Sequence, residues 1–126
     1  MAYNEFTHAK PVGTDTGPQA IDYIRNNEMA LRDAIIWDYG WPGVTETQSG
    51  GTPEQPAVIL MSLGTERWKK SITWGTTGGE AGNITKITYE YSSNSGSNYD
   101  PRLPFKNRNV SYDSSGNRIG VTWDNS

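Results

Sequence analysis

One segment of this chain has the apolar period of a helix, and nearly everything after residue 56 has the period of a strand. From Ala20 to Trp37 there is neither Gly nor Pro, and Ile21, Ile24, Leu31 and Ile35 recur at spacings of three, seven and four. That is one face of a helix, with Glu28 at the position where the stripe skips a beat. The start is signalled by Thr16-Gly17-Pro18-Gln19. Thr16 can cap, Gln19 can reach back, and Pro18 falls in the first turn, where a missing N–H costs nothing. Gly40 and Pro42 stop the run. A helix of about 20 residues is about 30 Å long.

The remainder reads differently. Ala57–Leu63 is a short apolar run, and Glu66–Trp74 carries Trp68, Ile72 and Trp74 on one parity. After the turn cluster Gly75-Thr-Thr-Gly-Gly, Ile84–Tyr91 places Ile87, Tyr89 and Tyr91 on one side. Ser92–Asn98 is a loop, and Pro101 and Pro104 mark an irregular stretch. Val110–Tyr112 and Ile119–Trp123 flank Asp113-Ser-Ser-Gly-Asn, a strong hairpin signal. The expected fold class is α+β. An extended arm (1–15) and one amphipathic helix (16–39) lead through a connector (40–56) to a small antiparallel β domain (57–126). That domain is expected to have about five strands, as a meander or a sandwich, with the last strand at an edge.

Composition says what such a fold must do with itself. Of 126 residues 33% are apolar, below the usual range of about 45–50%. The core is therefore small, or apolar surface is buried by joining partners. The five Trp and seven Tyr outnumber the two Phe, and Trp and Tyr suit half-wet surfaces. Net charge is 11 − 14 = −3, with no basic stripe, so nucleic acid is not an expected partner. No Cys is present, which rules out disulfides and thiolate metal sites. The start of the chain lacks a basic and apolar export signal, and no apolar run is long enough for a membrane span. The expectation is a protein made in a cytoplasm, without membrane insertion.

Nothing in the sequence assembles a catalytic constellation. His8, the one histidine, lies in the arm. Arg32 and Asp33 read as a solvated helix face, and Asp113 reads as a turn residue rather than a metal ligand. There is no P-loop ending and no Gly-x-Ser-x-Gly elbow. The expectation is no enzymatic activity, no cofactor and no metal. Trp37, Tyr39 and Trp41 stand together beside Pro42. They either pack the helix onto the sheet or grip a sugar or a partner. Tyr3 and Phe6 of the arm are further candidate partner contacts. Glu28 is either an exposed Glu beside a half-buried stripe or a polar layer that sets copy number between identical helices.

The segment Asp15-Thr-Gly-Pro-Gln-Ala-Ile-Asp-Tyr-Ile-Arg-Asn-Asn-Glu-Met-Ala-Leu-Arg-Asp-Ala, followed by Gly40-Trp-Pro-Gly, resembles the helical start of tailed-bacteriophage virion proteins of the tail-fibre, head-fibre and collar-whisker kind. Gly50-Gly-Thr-Pro-Glu-Gln-Pro-Ala, Gly64-Thr-Glu-Arg and Thr73-Trp-Gly-Thr-Thr-Gly-Gly resemble the β part of small phage structural proteins. The resemblance implies a virion protein assembled in the host cytoplasm, a symmetric homo-oligomer such as a trimer. It would dock through its N-terminal region on another virion protein of the capsid, portal, collar or tail. The chain has no long heptad run and no collagen-like tract, so a short fibre, collar or decoration subunit fits better than a long shaft. The oligomer interface is then expected at Ile21, Ile24, Glu28, Leu31 and Ile35. The alternative is an attachment module that binds host-surface carbohydrate through exposed aromatics.

Overall fold

A computed structural model describes residues 17–126, with side chains from Glu28 onward. Helix α1 (Gly17–Tyr39) is followed by six strands: β1 (Thr45–Gly51), β2 (Pro56–Leu63), β3 (Glu66–Trp74), β4 (Ile84–Ser92), β5 (Asn107–Tyr112) and β6 (Arg118–Asp124). A short 3-10 turn, Gly78–Glu80, lies between β3 and β4. The strands form one sheet in chain order, every neighbouring pair antiparallel. The architecture is a helix-backed meander.

The helix ends as its sequence dictates. Gly40 has φ +83, and its N–H donates to the carbonyl of Ile36 at 3.1 Å. This is a left-handed cap that a side chain would strain. The chain then reverses through Trp41-Pro42-Gly43-Val44, closed by Val44 N–H to Trp41 O at 3.0 Å. Pro second and a positive-φ Gly third (Gly43, φ +84) are the requirements of a type II turn. This turn delivers the chain into β1.

That strand differs from expectation, which treated 40–56 as a connector and foresaw about five strands. The sheet has six. Every residue of β1 is exposed, so Thr-Glu-Thr-Gln-Ser-Gly-Gly carries no buried parity to betray it. It is held by its backbone ladder to β2, from Thr45↔Ser62 to Gly51↔Pro56.

Alternation divides the sheet into two faces. Met61, Trp68 and Tyr91 are directly opposed across β2, β3 and β4 and form a buried row. Beside it lie Tyr89 and Ile87. The helix sets Ile36 and Trp37 onto these residues. Removing one such buried Trp to Ala typically costs about 3–5 kcal/mol. The opposite face is polar apart from Val58 and Leu60 of β2. There Thr88, Asn107, Asn109 and Asp124 are joined by side-chain hydrogen bonds of 2.7–2.8 Å.

Candidate functional site

Three features of the helix side of the sheet are built from identifiable residues. The first is a buried clamp. Asp33 is wholly buried, and its Oδ1 accepts a hydrogen bond from Trp68 Nε1 at 2.9 Å. Its Oδ2 lies 3.3 Å from Arg102 Nε, and the Arg102 guanidinium sits 3.8 Å from the centre of the Tyr91 ring. Glu66 Oε1 accepts from Tyr91 Oη at 2.7 Å and from Arg32 Nη2 at 3.1 Å. Burial, then the hydrogen bond to Glu66, push the Tyr91 phenol up to about 12. Two acidic and two basic groups balance here, which is how buried charge is tolerated. The clamp fixes helix, sheet and the segment before β5 to one another.

This corrects the reading of Arg32 and Asp33 as a solvated face. Asp33 precedes Ile36 by three and Trp37 by four, so it shares their stripe, and that stripe is the one laid on the sheet. Burying its carboxylate is possible because Trp68 and Arg102 meet it there.

The second feature is the outward side of the helix. Leu31 is 53% exposed and Ile35 40%, with Glu28 exposed as well. Tyr39 continues the spacing of four and is 88% exposed. The residues expected to form an oligomer seam thus face away from the sheet wherever their side chains are described. Ile21, Ile24, Tyr3 and Phe6 lie outside the residues with described side chains. The aromatic trio divides. Trp37 is buried and donates its indole N–H to Lys69 O at 3.2 Å. Tyr39 and the half-exposed Trp41 border a shallow hollow of about 440 Å³ with Val44, Glu46 and Met61.

The third feature is a cleft of about 410 Å³ between the helix and strands β5 and β6. Ala34, Trp37 and Asp38 form one wall, Ile87, Tyr89 and Arg108 the floor, and Phe105 and Trp123 the far wall. Successive rings meet edge to face or tilted. Centroid separations are 5.6 Å for Trp37 to Tyr89, 5.9 Å for Tyr89 to Phe105 and 6.3 Å for Phe105 to Trp123. Burial, reinforced by the Asp38 carboxylate, pushes the Tyr89 phenol up to about 12. It therefore stays a neutral donor at ordinary pH. Arg108 stands between Ile87 and Trp123 in a cross-strand row.

Sequence reasoning missed Arg102, Phe105, Arg108 and Trp123 as site residues. A signal existed for two of them. Arg108 and Trp123 share the parity of Val110 and Val121, so the face they occupy was readable once β5 and β6 were paired. Arg102 and Phe105 lie in irregular chain and left no pattern to follow.

The hairpin carboxylate is otherwise engaged. Asp113 accepts from the backbone N–H groups of Asn117 and Ser115, both at 2.9 Å. Among the described residues no group of three or more His, Cys, Asp and Glu is placed to hold a metal ion. No described helix is long and apolar enough to cross a membrane.

The fold and its surfaces define a small helix-backed β-meander module. No family model, curated protein or solved structure matches this chain, so its function is argued from the residues.

Proposed function

We propose that this chain is a non-enzymatic structural subunit of a tailed-phage virion. It would act as a homo-oligomer, a trimer on this reading, in a short fibre, collar or decoration. Its N-terminal region docks on another virion protein. The observation that carries the assembly part is the two-sidedness of α1. One stripe, Ala30, Asp33, Ile36 and Trp37, is buried on the chain's own sheet. The neighbouring stripe presents Leu31, Ile35 and Tyr39 to solvent. An apolar i, i+4 pair beyond what intramolecular packing uses is the geometry of a helix seam. Ile21 and Ile24 extend it in sequence. The virion part of the reading rests on the resemblance of residues 15–34 and 40–43 to the helical start of fibre and whisker proteins.

The test is native mass by multi-angle light scattering at two concentrations, on the wild type and on Leu31→Asp. The expected result is a discrete oligomer that Leu31→Asp converts to a folded monomer. A wild type that is monomeric at both concentrations would overturn the seam.

A further inference from the structure

The cleft between α1 and β5–β6 has the composition of a ligand site, and it lies apart from the helix seam. Its volume, about 410 Å³, is in the lower part of the range of about 300–1,000 Å³ for small-ligand sites. It combines flat apolar surface with a few polar groups, the usual character of such sites. Trp123 is 55% exposed and lines the cleft, so it offers indole surface for packing against the C–H face of a pyranose. Arg108 is its cross-strand neighbour. Among the described residues the Arg108 side chain makes no ion pair and no hydrogen bond, so its five N–H donors are free to meet a ligand. The other charged residue of the lining, Asp38, is paired from outside the cleft, its Oδ1 lying 3.6 Å from Lys70 Nζ. The excess charge is therefore that of Arg108.

We propose that this cleft binds a carboxylate-bearing pyranose of an acidic glycan, with the sugar ring on Trp123 and the carboxylate on Arg108. The guanidinium fork matches a carboxylate through two parallel N–H···O bonds. Asp38 accepts from sugar hydroxyls, and the Tyr89 phenol can donate to them. A plain fatty or aromatic acid would leave both unmet.

The experiment uses the full chain and two acidic probes: a tetrasaccharide alternating glucuronate with N-acetylglucosamine, and an oligogalacturonate. Each is compared with its carboxyl-reduced form by calorimetric titration and tryptophan fluorescence. We expect saturable binding of an acidic form and at least about tenfold weaker binding of its reduced form. Arg108→Gln is expected to lose about tenfold for the acid and little for the reduced form. Trp123→Ala weakens both forms and removes the fluorescence change. Arg108→Lys keeps the charge without the fork and falls between, and circular dichroism confirms that each variant is folded. Absence of saturable binding by both acids overturns the site. So does equal affinity for acid and reduced forms, or unchanged affinity in folded Arg108→Gln or Trp123→Ala. Native mass is read separately, so loss of the cleft does not bear on the helix seam.

Discussion

The indole N–H of Trp68 donates to the carboxylate of Asp33 at 2.9 Å, and both side chains are wholly buried. This bond joins helix to sheet at the middle of the core row. It also explains why a charged residue lies under a helix in so polar a chain. Asp33 serves a donor in the sheet and a cation, Arg102, from the segment before β5.

Asp33→Leu should be strongly destabilising, because it leaves Arg102 buried beside an apolar side chain and Trp68 without an acceptor. Breaking a buried pair from one side typically costs about 3–5 kcal/mol. Asp33→Asn keeps an acceptor for Trp68 and should cost less. Urea unfolding followed by tryptophan fluorescence orders the three proteins. Equal midpoints for the wild type and Asp33→Leu would show that the clamp contributes nothing to stability.

The buried phenols predict an alkaline transition. Tyr89 and Tyr91 are both pushed up to about 12, against about 10 in an unfolded chain. A folded-state pKa above the unfolded value favours the folded, protonated form. The resulting stability is fully present below pH of about 10 and is lost as pH rises through about 12. Unfolding free energy should fall across that window. Tyrosinate absorbance should show a late-titrating class whose amplitude falls in Tyr89→Phe and in Tyr91→Phe. A single ordinary titration for all tyrosines would contradict this placement of the rings.

Much of the β domain was legible because its strands announce themselves by parity. Trp68, Ile72 and Trp74 fixed β3, and Ile87, Tyr89 and Tyr91 fixed β4. The helix limits followed from Pro18 and Gly40. The strand β1 was illegible for a physical reason: it buries no side chain and is specified by its neighbour's open ladder. The clamp was illegible because Asp33 looks solvated until the residues that meet it, 35 positions on at Trp68 and further at Arg102, are folded onto it. The cleft divides the same way. Trp37 was singled out, while Arg108 and Trp123 gained meaning only from the β5–β6 register.

Acid acts on the other face and on the last hairpin. Hydrogen bonds from Asn107, Ser126 and Asn109 hold the Asp124 carboxyl below the usual carboxylate range. Bonds from Asn117, then Ser115 and Gly116, do the same for Asp113. Folded pKa values below the unfolded ones mean stability that is present above the unfolded value of 3.8 and is lost as pH falls through the folded values. Carboxyl-carbon NMR titration should find both groups among the last to protonate. Asn107→Ala should raise the Asp124 value and leave Asp113 unchanged, since the two lie on separate networks. Movement of both together would contradict that separation.

Adjacent residues on α1 separate folding from assembly. Ile36 is fully buried on the sheet and Ile35 is 40% exposed beside Leu31. Ile36→Ala should cost about 2–5 kcal/mol, the usual range for emptying a core site. Ile35→Ala removes a similar side chain from the outward stripe. It should leave the unfolding midpoint of dilute protein nearly unchanged, within about 0.5 kcal/mol. At high concentration the wild type should gain stability by mass action, and Ile35→Ala should lose that gain. Urea midpoints measured over a wide concentration range distinguish the two effects. A concentration-independent wild type, or an Ile35→Ala penalty as large at low concentration as that of Ile36→Ala, would show that the outward stripe does not serve a second chain.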